Sequence, residues 1–412
     1  MKILSKYKGE LKFTLANMIQ SCISMLMGVV ATACISPSDF GVYNSILLIS
    51  TYASFLQLGI FNGLNRNLAY YKAQGNILKM QKSIDTSHTV SVITALIGGI
   101  IGLAVFIYFL YLGKSGIYLW SCLALIIMLI FQPLVNHLEN TFRSGQEFGR
   151  LGTIKNVQSA IFSVFSILPL FWGLIGKVIA DCVLRLLSYT LLIKRPPYPH
   201  KSRGDWATWK ELFAVGLPLL VAGYIWQIFV VSDKTFIATH MPSEAMGLYT
   251  IAGYVIALFS VLPTALNSLL YPKAATRYGA TGDKTCLLPF WKKSIILFSS
   301  VLIPLAILAY TLIPWGVNTF LPKYEGGIEV ARISLLTCLT FISMGPSVIF
   351  GTLKKNKGYI FAVFSCWSAF WLIIKAFPSF FTTIESVAYL RFALSLILML
   401  YIIIHTYLLI KK

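Results

Sequence analysis

The sequence predicts an all-α integral membrane protein of about twelve transmembrane helices in two six-helix lobes, and three observations predict it. First, 57% of the 412 residues are hydrophobic and 12% are charged, whereas a soluble domain carries about 25% charged residues. Second, apolar runs of about 20 residues, enough to cross a bilayer as helix, recur from one end to the other. Third, the basic residues are sorted: twenty-six fall in loops on one side of these runs and four on the other. That asymmetry assigns the richer side to the cytoplasm.

The expected spans are, in order, 13–35, 40–64, 86–112, 118–141, 151–173 and 176–193, then 211–239, 247–271, 294–314, 328–352, 358–374 and 385–410. All are read as helix, because an open strand in lipid leaves backbone groups unsatisfied and the runs lack the alternation of a barrel. Lys2, Lys6, Lys8 and Lys12 precede a first run that is too long for the core of a cleavable signal. The cytoplasmic side then holds Arg66, Lys72, Arg143, Arg150, Lys155, Lys273, Arg277, Lys354 and Lys412 among others; the outer side holds Lys114, Lys177, Lys323 and Lys375. Both termini are therefore expected in the cytoplasm.

The longest segment between spans, 194–210, reads KRPPYPHKSRGDWATWK. Its prolines and charges mark a cytoplasmic linker between an N-terminal lobe, 1–193, and a C-terminal lobe, 211–412. The halves echo each other. Pro37-Ser38-Asp39-Phe40-Gly41-Val42-Tyr43 opens the second span and Pro242-Ser243-Glu244-Ala245-Met246-Gly247-Leu248-Tyr249 the eighth. Leu64-Asn65 and Leu266-Asn267 lie near the inner ends of the same two helices. With an even number of helices per half, this is a parallel repeat about an axis along the membrane normal.

At these motifs the sequence resembles the polysaccharide-transporter branch of the multidrug/oligosaccharidyl-lipid/polysaccharide exporter superfamily, and more narrowly the O-antigen or capsule repeat-unit flippases (Wzx-type). The residues that carry it are Ser36 to Tyr43, Leu58 to Arg66, Ser232-Asp233-Lys234, Glu244 to Tyr249 and Tyr271-Pro272-Lys273. The resemblance implies movement of an undecaprenyl-diphosphate-linked oligosaccharide from the cytoplasmic to the outer leaflet of a bacterial inner membrane. It also implies polysaccharide polymerase and glycosyltransferase partners.

No enzyme chemistry is legible. There is no Walker-type phosphate loop, no HExxH, no paired zinc ligands and no GxSxG. The five histidines are scattered, and the seven cysteines read as small buried apolar residues. No metal or cofactor is expected; coupling to a proton or sodium gradient is left open. The net charge of +20 is distributed through short loops, with no basic face long enough to track nucleic acid.

The informative residues are ionisable groups inside spans, since a charge at the bilayer centre costs about 2.5–3.5 kcal/mol on insertion scales. Arg185 lies near the middle of the sixth span with Asp181 one turn outward, an acid–base pair at i, i+4. Asp233 and Lys234 lie in the seventh, Arg391 in the twelfth, and Glu139 near the inner end of the fourth. Asn62, Asn65 and Arg66 cluster at the inner end of the second. A di-anionic pyrophosphate would suit this cation excess, because arginine holds phosphate oxygens bidentately. Arg185, Lys234, Arg391, Arg66, Asn62 and Asn65 are thus the expected substrate contacts, in a central cavity worked by alternating access. Asp181, Asp233 and Glu139 are the expected coupling or charge-pairing acids. A drug exporter of the same superfamily is disfavoured by that cation excess. A membrane-embedded glycosyl polymerase or ligase is disfavoured by the short outer loops, of which the longest is 315–327.

Overall fold

The computed structural model describes residues 8–353 and 355–411. The expected cytoplasmic lysines at 2, 6, 354 and 412 lie outside the described residues, as do the side chains of Lys8 and Pro272. Helix covers every expected span. In the N-terminal part these are α1 (Lys8–Cys34), α2 (Pro37–Ala53), α3 (Ile60–Ala73), α4 (Ile77–Tyr111), α5 (Ile117–Ser144), α6 (Phe148–Phe165) and α7 (Pro169–Ile193). After the linker come α8 (Trp206–Val230), α9 (Ser232–His240), α10 (Ser243–Leu248), α11 (Thr250–Thr281), α12 (Leu288–Phe320), α13 (Ile328–Leu339), α14 (Met344–Thr352), α15 (Asn356–Ala376) and α16 (Ile384–Lys411). No strand occurs among the described residues.

Nine helical segments among the described residues are long and apolar enough to cross a membrane, or ten with α2 and α3 counted as one span bent by 47°. The two expected spans outside that count are the short α6, which carries Arg150 and Lys155, and α7, which carries Lys177, Asp181 and Arg185. Of the charges that lower their hydropathy, Lys155, Lys177, Asp181 and Arg185 belong to the candidate site.

Several boundaries differ from the sequence reading, each for a local reason. The second span breaks at Leu58 and Gly59, both left-handed at φ 49 and φ 78, after a 3-10 turn at Ser54–Gln57. The expected fifth span, 151–173, ends early at Phe165; Pro169 then starts α7, which is itself broken at Gly173 with φ 52. The seventh span divides at Val231, so Asp233 lies in the first turn of α9, where the helix dipole favours an acid. Ser36 caps α2 by accepting from the Asp39 N–H at 3.2 Å. Pro242 precedes α10 without a side-chain cap.

The chain forms two compact units, Met1–Tyr224 and Ile225–Lys412. The first unit extends past the linker at 194–210 to take in α8 up to Tyr224. Glycines explain why. A Cβ on Gly216 would sit 1.9 Å from the Gly59 carbonyl oxygen, and one on Gly63 would sit 2.2 Å from the Leu212 carbonyl oxygen. Glu211 adds a polar tie, accepting from Asn67 Nδ2 at 2.8 Å and from the Tyr71 hydroxyl. The linker itself docks on α4: Gln81 Nε2 donates to the Pro199 carbonyl at 2.8 Å and the Lys201 N–H to Asp85 Oδ1 at 2.8 Å. Asp205 then starts α8, accepting from the Thr208 hydroxyl at 2.6 Å, a bond that holds its carboxyl below the usual range.

Within the first unit α4 lies along α5, with Gly98 and Gly102 against Leu129 and Ile126, and a core of Phe40, Tyr43, Ala124, Leu174 and Val178 joins α2, α5 and α7. The second unit is built on Phe229, Ile237, Tyr249, Val363, Phe370 and Val387. All seven cysteines are free. Cys22 departs from expectation by being exposed on α1, where an apolar side chain facing lipid carries no penalty.

Candidate functional site

In the first unit α7 presents Lys177, Asp181 and Arg185 four residues apart, hence on one face. Asp181 is paired with Lys177, not with Arg185 as the sequence suggested. Lys177 Nζ donates to both carboxylate oxygens at 2.6 Å. The Tyr43 hydroxyl, from α2, donates to Asp181 Oδ2. The ammonium also lies 5.9 Å from the Tyr43 ring, and Phe40 stacks on that ring at 6.0 Å. Lys177 had read as an outer-loop cation; its spacing of four from Asp181 was the signal available for this pair.

Among the described residues Arg185 closes no hydrogen bond and no ion pair. It lines a cavity of about 170 Å³ with Tyr43, Met128, Asp181 and Leu184. Asp181, Tyr43 and Glu139 are its electrostatic neighbours. Glu139 on α5 is itself held by two cations, Lys155 Nζ at 3.0 Å and Arg143 at 2.9 Å. Lys155 is buried and also donates to Gln20 on α1 at 3.2 Å. The sequence reading placed Lys155 in a cytoplasmic loop.

The inner-end polar groups divide. Asn65 is spent on α5, donating to Asn140 Oδ1 and accepting from the Ser144 hydroxyl, both at 3.0 Å. Asn62 is half-buried and Arg66 is exposed. The histidines are not scattered: the rings of His88, His137 and His200 lie 4.4–5.9 Å apart. His137 Nδ1 meets Ser87 Oγ at 3.0 Å and His88 Nδ1 meets Ser202 Oγ at 3.1 Å. Among the described residues no group of histidine, cysteine or acid is arranged to hold a metal.

In the second unit Asp233 is buried, with Oδ2 accepting from the Tyr249 hydroxyl at 2.6 Å and Oδ1 from the Lys234 N–H at 2.7 Å. Arg391, only 6% exposed, is the cation beside them. Its guanidinium lies 3.9 Å from the Phe229 ring centroid and donates to Ser395 Oγ at 2.7 Å. Ser395 in turn lines a cavity of about 230 Å³ with Trp226, Asn267, Ser343, Ser347 and Tyr359. The Asn267 Oδ1 there is buried without a partner. Lys234 turns elsewhere, as its adjacency to Asp233 requires; a Cβ at Gly253 would lie 3.5 Å from its Nζ. Arg332 reaches Glu329 at 3.8 Å and lies over the Tyr310 ring at 4.5 Å.

Each unit thus buries a tyrosine–aspartate bond beside cations, and the two tyrosines end the two repeated motifs. Residues 8–275 match the family described as polysaccharide biosynthesis protein. The chain belongs to that family. The chain is 21% identical over 251 residues to a Shigella flexneri protein named "Putative O-antigen transporter"; the match covers 58% of this chain and 59% of that one. The chain thus spans about three-fifths of the length of that curated relative. Its fold is that of transporters in the multidrug/oligosaccharidyl-lipid/polysaccharide exporter superfamily. An inward-facing multidrug-resistance transporter of that superfamily aligns with TM-score 0.75 at 12% identity, covering 98% of both chains. A superfamily transporter from Pyrococcus furiosus aligns with TM-score 0.70 at 14% identity, over 98% of this chain and 96% of that one. The lipid II flippase MurJ in an inward closed conformation aligns with TM-score 0.70 at 14% identity, covering 96% of this chain and 87% of that one. The chain shares with them a helical membrane architecture of two lobes.

Proposed function

We propose that the protein flips an undecaprenyl-diphosphate-linked oligosaccharide repeat unit from the cytoplasmic to the outer leaflet of a bacterial inner membrane, by alternating access. The observation that carries this reading is Arg185, an arginine within the sixth span expected from the sequence, with its guanidinium closing no hydrogen bond or ion pair among the described residues beside a cavity. An unpaired cation at such a depth is costly unless an anion visits it. A pyrophosphate headgroup supplies that anion and matches the planar fork of arginine. Membership of a polysaccharide biosynthesis family and the name of the Shigella relative support the sugar-linked lipid as cargo. Lys234, Arg391 and Arg66 are the further cations of the reading, Asn62 a polar neighbour, and the polymerase and glycosyltransferases of the same polysaccharide its partners. With both termini in the cytoplasm, the headgroup would be taken from the side where the repeat unit is assembled.

Of the three acids offered for coupling, Asp181 and Glu139 already hold cations. Asp233 bonds to a neutral hydroxyl and a backbone N–H and closes no ion pair among the described residues, although Arg391 lies beside it; in this reading it is the acid that exchanges a proton or meets a sodium ion. The test is Arg185→Gln in the native host. Surface polysaccharide should fall about tenfold or more, the scale of losing a charge-assisted phosphate contact, while lipid-linked repeat units accumulate in the membrane. Wild-type surface polysaccharide at normal membrane insertion would refute the reading.

A further inference from the structure

Lys177 is used by nothing in the reading above, yet it determines what Asp181 can do. We propose that Lys177 is a positioning residue: by occupying Asp181 it keeps Arg185 unpaired for an anionic phosphate group of the substrate. The proposal rests on the assignment of Arg185 as the phosphate-binding cation. Lys177, Asp181 and Arg185 are spaced i, i+4, i+8 on α7, so the carboxylate can reach one turn in either direction. In an isolated helix the acid pairs better with the base on its C-terminal side, which is Arg185. Here it pairs outward. Tyr43 fixes one oxygen from α2, and the compact Lys177 ammonium sits 2.6 Å from both, a position open to a point charge on a flexible stem. The side chains of the pair are 16% and 27% exposed, so solvent screens them only in part. Without Lys177, Asp181 would hold a charge whose remaining partner on that face is Arg185. The ion pair would close there and the cavity would lose its free cation.

The experiment is a set of chromosomal variants in the native host, scored for surface polysaccharide per inserted protein and for Tm of the purified protein in detergent. Lys177→Gln should lower the polysaccharide about tenfold, as expected when an internal carboxylate captures the binding cation, with Tm close to wild type. Lys177→Arg should retain it. Lys177→Gln with Asp181→Asn should regain most of it, because nothing is left to capture Arg185. If Lys177→Gln is as active as wild type, or the double variant is no better than Lys177→Gln, the proposal fails. It also fails if the loss merely follows a fall in Tm, the signature of a structural ion pair. Arg185→Gln separates the two claims: full activity there refutes the phosphate reading itself, whereas its loss with an active Lys177→Gln refutes only the role of Lys177.

Discussion

Tyr43 and Tyr249 occupy the same place in two repeated motifs, and each donates its hydroxyl to an aspartate. Their surroundings differ in a way that sets their energetic worth. Asp181 keeps Lys177 when Tyr43 is removed. Asp233 depends on Tyr249, because its other bond comes from the adjacent backbone N–H. A buried acceptor left without a donor costs about 1–3 kcal/mol. Tyr249→Phe should therefore lower the Tm of the purified protein measurably, and Tyr43→Phe should lower it less. Equal shifts would show that Lys177 does not compensate. The tyrosines were visible in the sequence only as motif residues. Their partners lie far off in the chain or across a helix break, at Asp181 on α7 and Asp233 on α9, and no local spacing connects them.

Helix breaks and close approaches shape the first unit. The left-handed pair Leu58 and Gly59 ends one helical segment and begins α3, and the bend brings Gly59 and Gly63 against α8. Gly216 has no room for a methyl group, because the nearest atom would be the Gly59 carbonyl oxygen at 1.9 Å. Backbone cannot yield as a side-chain tip does, so Gly216→Ala should cost at least the roughly 1–3 kcal/mol of core overpacking. It should appear as reduced membrane-inserted protein and a lower Tm. Gly279 on α11 meets nothing within 4 Å. Gly279→Ala should be neutral or stabilise slightly, by up to about 1 kcal/mol for alanine over glycine in a helix. A Gly216→Ala protein as stable as Gly279→Ala would mean that the α3–α8 contact is not needed.

At the scale of the whole molecule, the sorting of basic residues predicts an orientation with both termini in the cytoplasm, because each basic loop resists translocation. Reporter fusions after Gly149, Gly204 and Gly279 should be active as cytoplasmic fusions, and fusions after Gly116, Ser243 and Gly326 as external ones. Two reversals would overturn the expectation of twelve spans. The count matters most at α6 and α7. Both are helical but too charged to stand out by hydropathy, and the fusion after Gly149 reports on the entry to this pair.

The fold class and the helical segments were legible in the sequence, because each depends on sums along the chain. About twenty consecutive apolar residues make a span whatever surrounds them, and loop charge acts before any helix has packed. Legibility ended where side chains choose partners across helices. Asp181 had two bases at equal helical distance, and a tyrosine on α2 accompanies the choice of Lys177. Glu139 and Lys155 sit on different helices, as do Asp233 and Arg391. Asn65 is an expected substrate contact, and its bonds to Asn140 and Ser144 on α5 join residues far apart in the chain. His88, His137 and His200 read as scattered but meet where the linker docks. In a medium that offers no water to a stray polar group, a charge pairs with whatever the packed helices bring to it, and Arg185 stays uncommitted because its neighbour Asp181 is already held by Lys177. Packing is a property of the tertiary structure and not of any stretch of the chain.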